Sequence, residues 1–391
     1  MRNQKLFPSF PSFPSFPSFP SFPSFPSFPS FPSSNYLRPM QVDYLIVGQG
    51  ISGTMLSWFL HKEGESFVIL DESKGDTSSK VAAGIINPVT GRRFVRSWMI
   101  EELLPFARKT YDELETFLQV HFIRHLDMIR FFPNAESRDL FATRITEDDT
   151  YLHPYPEQND FNPFFNYHYG CGQVRPAFCV DLGVLLAAWR QQLGDAVRNQ
   201  RFEPAALQEA NDHIVYEDIT AQKIIFCEGV MGEANPWFGL LPFSANKGEA
   251  LFIECPGLID KHIFKQHHLL APLMQPGLFW VGSTYQNRFT DAHPTEDFRV
   301  KTEAYLKEWI KLPFTVVNHK AAIRPATVER RPFIGMHPHH PAIGICNGMG
   351  TKGTSLAPYF AHQLVQHLVH GVTLTPEADI RRFERILSRR N

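Results

Sequence analysis

The chain has 391 residues, a length that suits two domains better than one. Hydrophobic residues make up 43% and charged residues 20%, which excludes a fibrous or largely disordered protein. The formal charge of −2 makes nucleic acid an improbable partner, and no apolar run approaches the roughly 20 residues of a membrane helix.

The N-terminal segment is a repeat, with nine consecutive copies of Phe-Pro-Ser in residues 7–33. A proline at every third position removes backbone donors and fixes φ, so residues 1–39 are predicted to form an extended or disordered tail. The repeat is interpreted either as a recognition tail or spacer, or as repetitive DNA translated from a misassigned start. We favour the second, because Met40 stands just before the first predicted strand.

A nucleotide-binding motif follows the tail. The apolar residues 43–47 predict a buried parallel strand that leads directly into a GxGxxG turn and a helix. Gly48 permits the tight turn, Gly50 lets the backbone approach a pyrophosphate, and Gly53 allows close packing of helix and strand. Ile51 and Ser52 then lie at a helix N-terminus, whose N–H groups attract phosphate.

A second predicted strand, residues 67–70, ends in the two acids Asp71 and Glu72. Asp71 follows Gly53 by 18 residues, near the spacing of the carboxylate that binds a ribose in dinucleotide-binding folds. Strand, glycine turn, helix, strand and acid in this order predict a dinucleotide site. The motif does not distinguish NAD from FAD.

Residues 77–91 resemble a Ser-rich, Ala-Ala-Gly segment of the D-amino-acid oxidase and glycine oxidase family of flavoproteins. On that resemblance Ser78, Ser79, Ala83 and Gly84 contact FAD. The residues taken alone also suit a flexible glycine- and serine-rich loop.

Later segments extend the resemblance to residues 41–391. Residues 223–229 resemble the family's late strand beside the nucleotide, with Cys227 and Gly229 where the family usually has Ala-x-Gly. Residues 278–285 resemble the strand that lines the substrate pocket. Tyr285 would place its hydroxyl over the substrate there, or would be a plain core residue.

The C-terminal signature carries most of the resemblance. It has an Arg-Pro pair at Arg324, a Pro-x-Ile-Gly at residues 332–335 and a glycine-rich turn before a final helix. The turn contributes four predicted cofactor residues, namely Gly350, Lys352, Gly353 and Thr354. Its N–H groups would stabilise the reduced flavin, with Lys352 either adding positive charge or remaining solvated.

The resemblance implies FAD-dependent oxidation of a small amine, an amino acid or N-substituted glycine, by hydride transfer to flavin N5 that gives an imine. Arg324 would bind the substrate carboxylate, since a guanidinium pairs bidentately with a carboxylate. A structural ion pair is its alternative role. The reaction needs no dedicated base, and the electron acceptor is O₂ or a quinone.

Cysteines and histidines bear on the remaining cofactor predictions. No cysteine lies in residues 321–335 near Arg324, so non-covalent FAD is expected. The histidines of residues 337–341 have no acid or cysteine nearby in the sequence, and His267 and His268 would point to opposite faces of a strand, so no metal is expected. Residues 337–341 are predicted to be a surface loop. Five cysteines without a CxxC pair and the lack of a signal peptide favour the cytoplasm.

The predicted fold class is α/β, with a Rossmann-like FAD-binding domain interleaved with an α+β substrate domain on a mixed or antiparallel sheet. The segments are 41–98, 170–234 and 319–391 for the first domain and 99–169 and 235–318 for the second, with the flavin ring at their junction. Two other functions stay open. One is a flavin domain acting on a carboxymethylaminomethyl group of tRNA, ranked lower because the sequence has no basic run or fused methyltransferase domain. The other is a non-enzymatic flavin or electron-transfer module.

Overall fold

A computed structural model describes residues 40–73, 75–210 and 212–388, so the predicted tail, residues 1–39, lies outside the described residues. The helices are α1 (Ile51–Glu63), α2 (Ser78–Val81), α3 (Ile100–Leu118), α4 (Ala135–Glu147), α5 (Leu182–Leu193), α6 (Glu296–Trp309), α7 (Gly353–His370) and α8 (Glu384–Leu387). The strands are β1 (Met40–Val47), β2 (Phe67–Leu70), β3 (Ile85–Ile86), β4 (Val89–Thr90), β5 (Val95–Arg96), β6 (Ile123–His125), β7 (Met128–Phe131), β8 (Leu152–Pro154), β9 (Cys171–Val174), β10 (Phe178–Val180), β11 (Val197–Arg198), β12 (Leu207–Glu209), β13 (Ile214–Tyr216), β14 (Ile219–Phe226), β15 (Asn246–Glu254), β16 (Ile263–Lys265), β17 (Leu269–Pro272), β18 (Leu278–Gly282), β19 (Thr315–Arg324), β20 (Phe333–His337) and β21 (His340–Asn347).

The first large sheet has a parallel centre. β1 pairs in parallel with β2 and with β14, and β14 pairs in parallel with β21. Both faces of these strands are buried, which explains their nearly continuous apolar sequence. Ile46 and Ile69 pack in one core cluster with residues of α1 and α7, while Leu45 and Val68 pack in a second cluster on the opposite face.

The second large sheet has the order β19-β15-β18-β17-β16-β7-β9-β8. Its strands are antiparallel except for the β16–β7 pair, so the sheet is mixed. One face packs against α6 through Phe298, Leu306 and Trp309, and the other against Phe141 of α4. The two large sheets confirm the predicted fold class.

The division into two interleaved domains stays a prediction. Strand β9, which starts next to the predicted boundary at residue 170, is hydrogen-bonded to β7 and β8 within the second sheet. Strand β19 crosses the predicted boundary at 319 and also belongs to the second sheet. The sheet that each of these boundary strands joins is decided by the strands it pairs with, which its own sequence does not specify.

The predicted surface loop at residues 337–341 is wrong for the strand residues His337 and His340, while Pro338 and His339 do form a turn, with His339 exposed. His337 ends β20 and His340 begins β21, and the two residues pair across a tight hairpin. His337 is buried, and its Nδ1 accepts the His339 N–H at 3.2 Å. The nearly continuous buried residues of β20 and β21 carry the pairing as far as the histidines, while Pro338 falls in the turn, where no ladder donor is needed.

Three further findings concern the described residues. All five cysteines are buried and unpaired. No described group of three or more His, Cys, Asp or Glu side chains is arranged to hold a metal ion. None of the described helices is both long and apolar enough to cross a membrane.

Candidate active site

A cavity of about 430 Å³ opens at the carboxyl ends of the parallel strands. Val47, Leu70 and Asn347, the last residues of β1, β2 and β21, line it. Ligands of open α/β sheets bind outside this edge. Ile323 and Arg324 of β19 also line the cavity, so it lies where the two large sheets approach each other.

The structure brings most of the predicted site residues to this cavity. Those that line it are Gly48, Gly50, Ile51, Ser52, Asp71, Glu72, Ser78, Ser79, Cys227, Gly229, Arg324, Gly350, Gly353 and Thr354. Those that do not are Gly53, Ala83, Gly84, Tyr285 and Lys352.

The glycine turn is shaped by close backbone approaches. Gly48 has φ +96°, and a Cβ there would lie 2.7 Å from the Cys227 carbonyl oxygen. A Cβ on Gly53 would lie 1.9 Å from the Gly48 carbonyl oxygen. Gly53 therefore acts behind the cavity, by closing the turn against the helix. Gly84 is similar, because its Cβ would lie 1.8 Å from the Val180 carbonyl oxygen.

Two helix N-termini open onto the cavity. Helix α1 begins after Gly50, and α7 begins at Gly353 after a short 3₁₀ turn. Neither has a side-chain cap or an acid in its first turn. A Cβ on Gly353 would lie 3.3 Å from Cγ2 of Ile51, so the two N-termini are in contact. Their N–H groups and dipoles together favour an anionic ligand.

The segment at residues 78–81 is a helical turn, α2, rather than the loop that its composition also suits. Its Ser79 hydroxyl accepts the Ile51 N–H at 3.0 Å. This hydrogen bond holds α2 against the start of α1 and so forms one wall of the cavity.

The Asp71 carboxylate supports the turn as well as lining the cavity. It accepts the Gln49 N–H at 2.8 Å and the Ser73 N–H at 2.9 Å, and Arg190 Nη1 lies 3.1 Å away. Arg190 also donates to the Gln49 side chain at 2.8 Å. Sequence reasoning missed Gln49 and Arg190, since Arg190 is 119 residues from Asp71 along the chain.

Arg324 ends β19 and is held by neutral groups. Nη1 donates to Asn246 Oδ1 at 2.8 Å and to the Thr284 carbonyl at 3.1 Å, and Nη2 donates to the Ser283 hydroxyl at 2.8 Å. Among the described residues, no carboxylate pairs with it. Burial lowers the pKa of Arg324, although a guanidinium stays charged at any working pH.

Space for the guanidinium comes from Gly248 on the neighbouring strand β15. A Cβ on Gly248 would lie 1.7 Å from Arg324 Nη2. Glu249, the next residue, is fully buried on the other face of the strand, where it accepts the Thr295 N–H at 2.6 Å. The Glu249 carboxylate is thus directed away from Arg324.

Tyr285 and Lys352 are placed differently from the other predicted residues. Tyr285 is 52% exposed, which excludes it from the core, and it lies near enough to Arg324 to influence the pKa of that guanidinium. Lys352 is partly exposed, and it donates to the Ser97 hydroxyl. Burial lowers its pKa to about 8.

Comparisons with known proteins agree with this geometry. Residues 43–367 match the model of the DAO family, FAD dependent oxidoreductase. Glycine oxidase from Pseudomonas putida is 28% identical over 152 residues, which cover 36% of this chain and 41% of that protein. The chain therefore matches less than half the length of this curated relative.

Solved structures share the fold. Glycine oxidase from Geobacillus kaustophilus superimposes with a TM-score of 0.73 at 18% identity, over 88% of this chain and 98% of that one. Iminodiacetate oxidase from Chelativorans sp. BNC1 does so with a TM-score of 0.68 at 17% identity, over 87% and 98% of the chains. By the family match, the resemblance is confirmed, and the chain belongs to the DAO family of FAD-dependent oxidoreductases.

Proposed function

We propose that the protein oxidises a small amine that carries a carboxylate, an amino acid or an N-substituted glycine, and that Arg324 binds that carboxylate. One observation carries the proposal, namely a guanidinium on the cavity wall that neutral groups hold and no described carboxylate neutralises. A partly buried charge without a counter-ion is unfavourable, so a carboxylate ligand would be attracted there.

The hydrogen bonds of Arg324 leave room for such a ligand. A guanidinium has five N–H donors, and the described residues accept three of them, which leaves two. A carboxylate accepts two N–H donors side by side. The three protein contacts fix the plane of the guanidinium, so the ligand would be oriented as well as bound.

The residues of the cavity fit the FAD that the family uses. The glycine turn and the N-terminus of α1 would hold the pyrophosphate, and the acids Asp71 and Glu72 would lie at the ribose. When bound, FAD supplies the acceptor for the hydride removed from the amine, which leaves as an imine. Burial raises the pKa of the Cys227 thiol at the cavity wall, so a reactive thiolate is disfavoured and non-covalent FAD is supported.

The start of α7 would stabilise negative charge on the reduced cofactor, because its first N–H groups have no side-chain acceptor. We assign no general base. Tyr285, beside Arg324 and half exposed, would border the entrance for the substrate rather than cover it. The final acceptor, O₂ or a quinone, and a cytoplasmic location stay predictions.

The test is anaerobic reduction of the purified yellow protein by D-, L- and N-methyl amino acids, glycine and proline, followed by flavin absorbance. We expect one class to bleach the flavin, and readmission of air then identifies O₂ as acceptor if the colour returns. Arg324→Met should retain FAD and lose on the order of 100-fold or more in kcat/KM. Arg299→Met, which removes an exposed arginine on α6, is the matched control.

Other results would favour the alternatives. A yellow protein that no free amine reduces would point to an amine carried on tRNA. Equal reduction of the wild-type protein and Arg324→Met by the same amine would remove the carboxylate role of Arg324 and leave amine oxidation standing, whereas reduction of neither protein by any amine would also fit an electron-transfer module. A colourless protein that does not take up FAD would overturn the proposal.

A further inference from the structure

Two cations lie side by side on the second sheet, outside the cavity described above. Lys265 on β16 is the register partner of Arg130 on β7, and register partners in a sheet point to the same face. Like charges placed directly opposite each other across two strands are destabilising. This pair therefore needs an explanation.

No described carboxylate neutralises the pair, although the Arg130 guanidinium lies 5.5 Å from the centre of the Phe94 ring. Arg130 Nε is buried without a hydrogen-bond partner, and Lys265 Nζ donates to the His267 carbonyl at 3.3 Å. Neither cation forms an ion pair within residues 40–73, 75–210 and 212–388. Burial and, to a smaller extent, the charge of Arg130 together lower the pKa of Lys265 to about 8. Both side chains remain partly accessible to solvent.

The pair shares a sheet face with Arg324. Arg324 lies over Gly248, and Ala250 points to the same face because alternate residues of a strand do. Ala250 is the register partner of Gly282, which is the partner of Leu269 on the next strand. Leu269 in turn is the partner of Lys265, which is the partner of Arg130, so all of them point to one face of the sheet. Trp280, also on this face, donates to the Val81 carbonyl at 2.9 Å, so the face is directed toward α2 and the cofactor side.

We propose that Arg130 and Lys265 form a second anion-binding site, which takes a phosphate or carboxylate group. Five strand steps separate β19 from β7, a distance of about 24 Å at the usual strand spacing. One free amino acid does not span that distance. The anion is therefore either a separate ligand or the remote end of a longer amine substrate.

The binding arm of the test does not depend on the oxidase activity. Inorganic phosphate is titrated by calorimetry into the FAD-bound protein, at constant ionic strength kept with chloride. We expect saturable binding that Lys265→Met weakens at least about tenfold, since charge-assisted hydrogen bonds are lost. Lys265→Arg and the exposed-lysine control Lys261→Met should bind as the wild-type protein does.

Stability without phosphate gives a second readout. Removing one of two repelling cations should leave Lys265→Met with a melting temperature equal to or above that of the wild-type protein. Wild-type phosphate affinity in Lys265→Met would overturn the proposal. So would a lower melting temperature of Lys265→Met in phosphate-free buffer, which would make the pair a structural feature.

The second arm identifies the source of the anion and rests on the proposed function. Flavin reduction is followed with glycine and with N-(phosphonoalkyl)glycines of increasing chain length. If the anion belongs to the substrate, a long chain should lower KM at least about tenfold in the wild-type protein and not in Lys265→Met. If the anion is separate, chain length has no such effect while phosphate still binds. Failure of every amine to reduce the flavin would reject the oxidase function and leave the phosphate result standing.

Discussion

The two sides of the cavity are constructed in different ways. On the nucleotide side the decisive contact is local, between Gly53 and the Gly48 carbonyl oxygen of the same turn. On the carboxylate side Arg324 is held by Ser283, Thr284 and Asn246, which are 41, 40 and 78 residues away. Because the turn closes only when residue 53 has no Cβ, any substitution there should abolish its geometry at once. A site held by several remote hydrogen bonds should lose its function in steps.

The largest effect is expected at the local constraint. Gly53→Ala would place a Cβ 1.9 Å from the Gly48 carbonyl oxygen, so the turn must move and FAD binding should fall on the order of 100-fold or more. Bound FAD per chain, measured by absorbance after reconstitution, checks this. Gly64→Ala is the control, because it has φ +79° but open space, and it should cost about 1 kcal/mol and keep FAD. Wild-type FAD affinity in Gly53→Ala would contradict the steric argument.

A smaller effect is expected when the charge at position 324 is kept but its shape is changed. Arg324→Lys removes the planar fork and leaves Asn246 and Ser283 without their donors. We expect kcat/KM for a carboxylate-bearing amine to fall about 50- to 100-fold with FAD retained. If Arg324→Lys is as active as the wild-type protein, Arg324 serves as a point charge and the bidentate arrangement is not needed.

The same contrast explains which features sequence analysis predicts. The predicted strand at residues 67–70 coincides with β2, and the predicted glycine turn and helix coincide with the start of α1, because these signals lie within a few adjacent residues. The partners of Arg324 were not predicted, because they depend on the register between β15 and β19. Asn246 is the register partner of Arg324, and no local pattern in either strand specifies that pairing.

Of two further local predictions, one left two alternatives open and one failed in part, because contacts from elsewhere in the chain decide both structures. The serine-rich residues 78–81 suit a loop or a helix equally, and the hydrogen bond from Ile51 to Ser79 favours the helical turn. The histidines at residues 337–340 were interpreted as a loop from their prolines, although the flanking strands bring them into a hairpin. In both cases contacts from elsewhere in the chain decide the local structure.

A graded loss is expected at Ser283, which positions Arg324 without lining the cavity. Ser283→Ala removes one of three hydrogen bonds, so the guanidinium keeps its charge and loses part of its orientation. KM should rise about tenfold with kcat nearly unchanged, since one hydrogen bond to a charged group is lost. Ser388→Ala, which changes an exposed hydroxyl near the end of the described chain, is the control. A fall in kcat with unchanged KM would instead place Ser283 at the reacting atoms.

The smallest effect concerns Lys352, the one predicted cofactor residue that the structure places against Ser97. Its pKa is lowered by burial to about 8, below the 10.5 of an unperturbed lysine, so between these values the unfolded chain binds more protons than the folded protein. Raising the pH through that window therefore increases the free energy of unfolding. Lys352 is partly exposed, so only part of the full effect is expected. From about pH 8 to about pH 9.5 the free energy of unfolding of the wild-type protein should rise by about 1 kcal/mol more than that of Lys352→Met. Urea unfolding of both proteins at the two pH values measures the difference, in which the other titrating groups cancel. A gain that is the same in both proteins would show that Lys352 is protonated and solvated in the folded state, and it would then be available to the cofactor as a full positive charge.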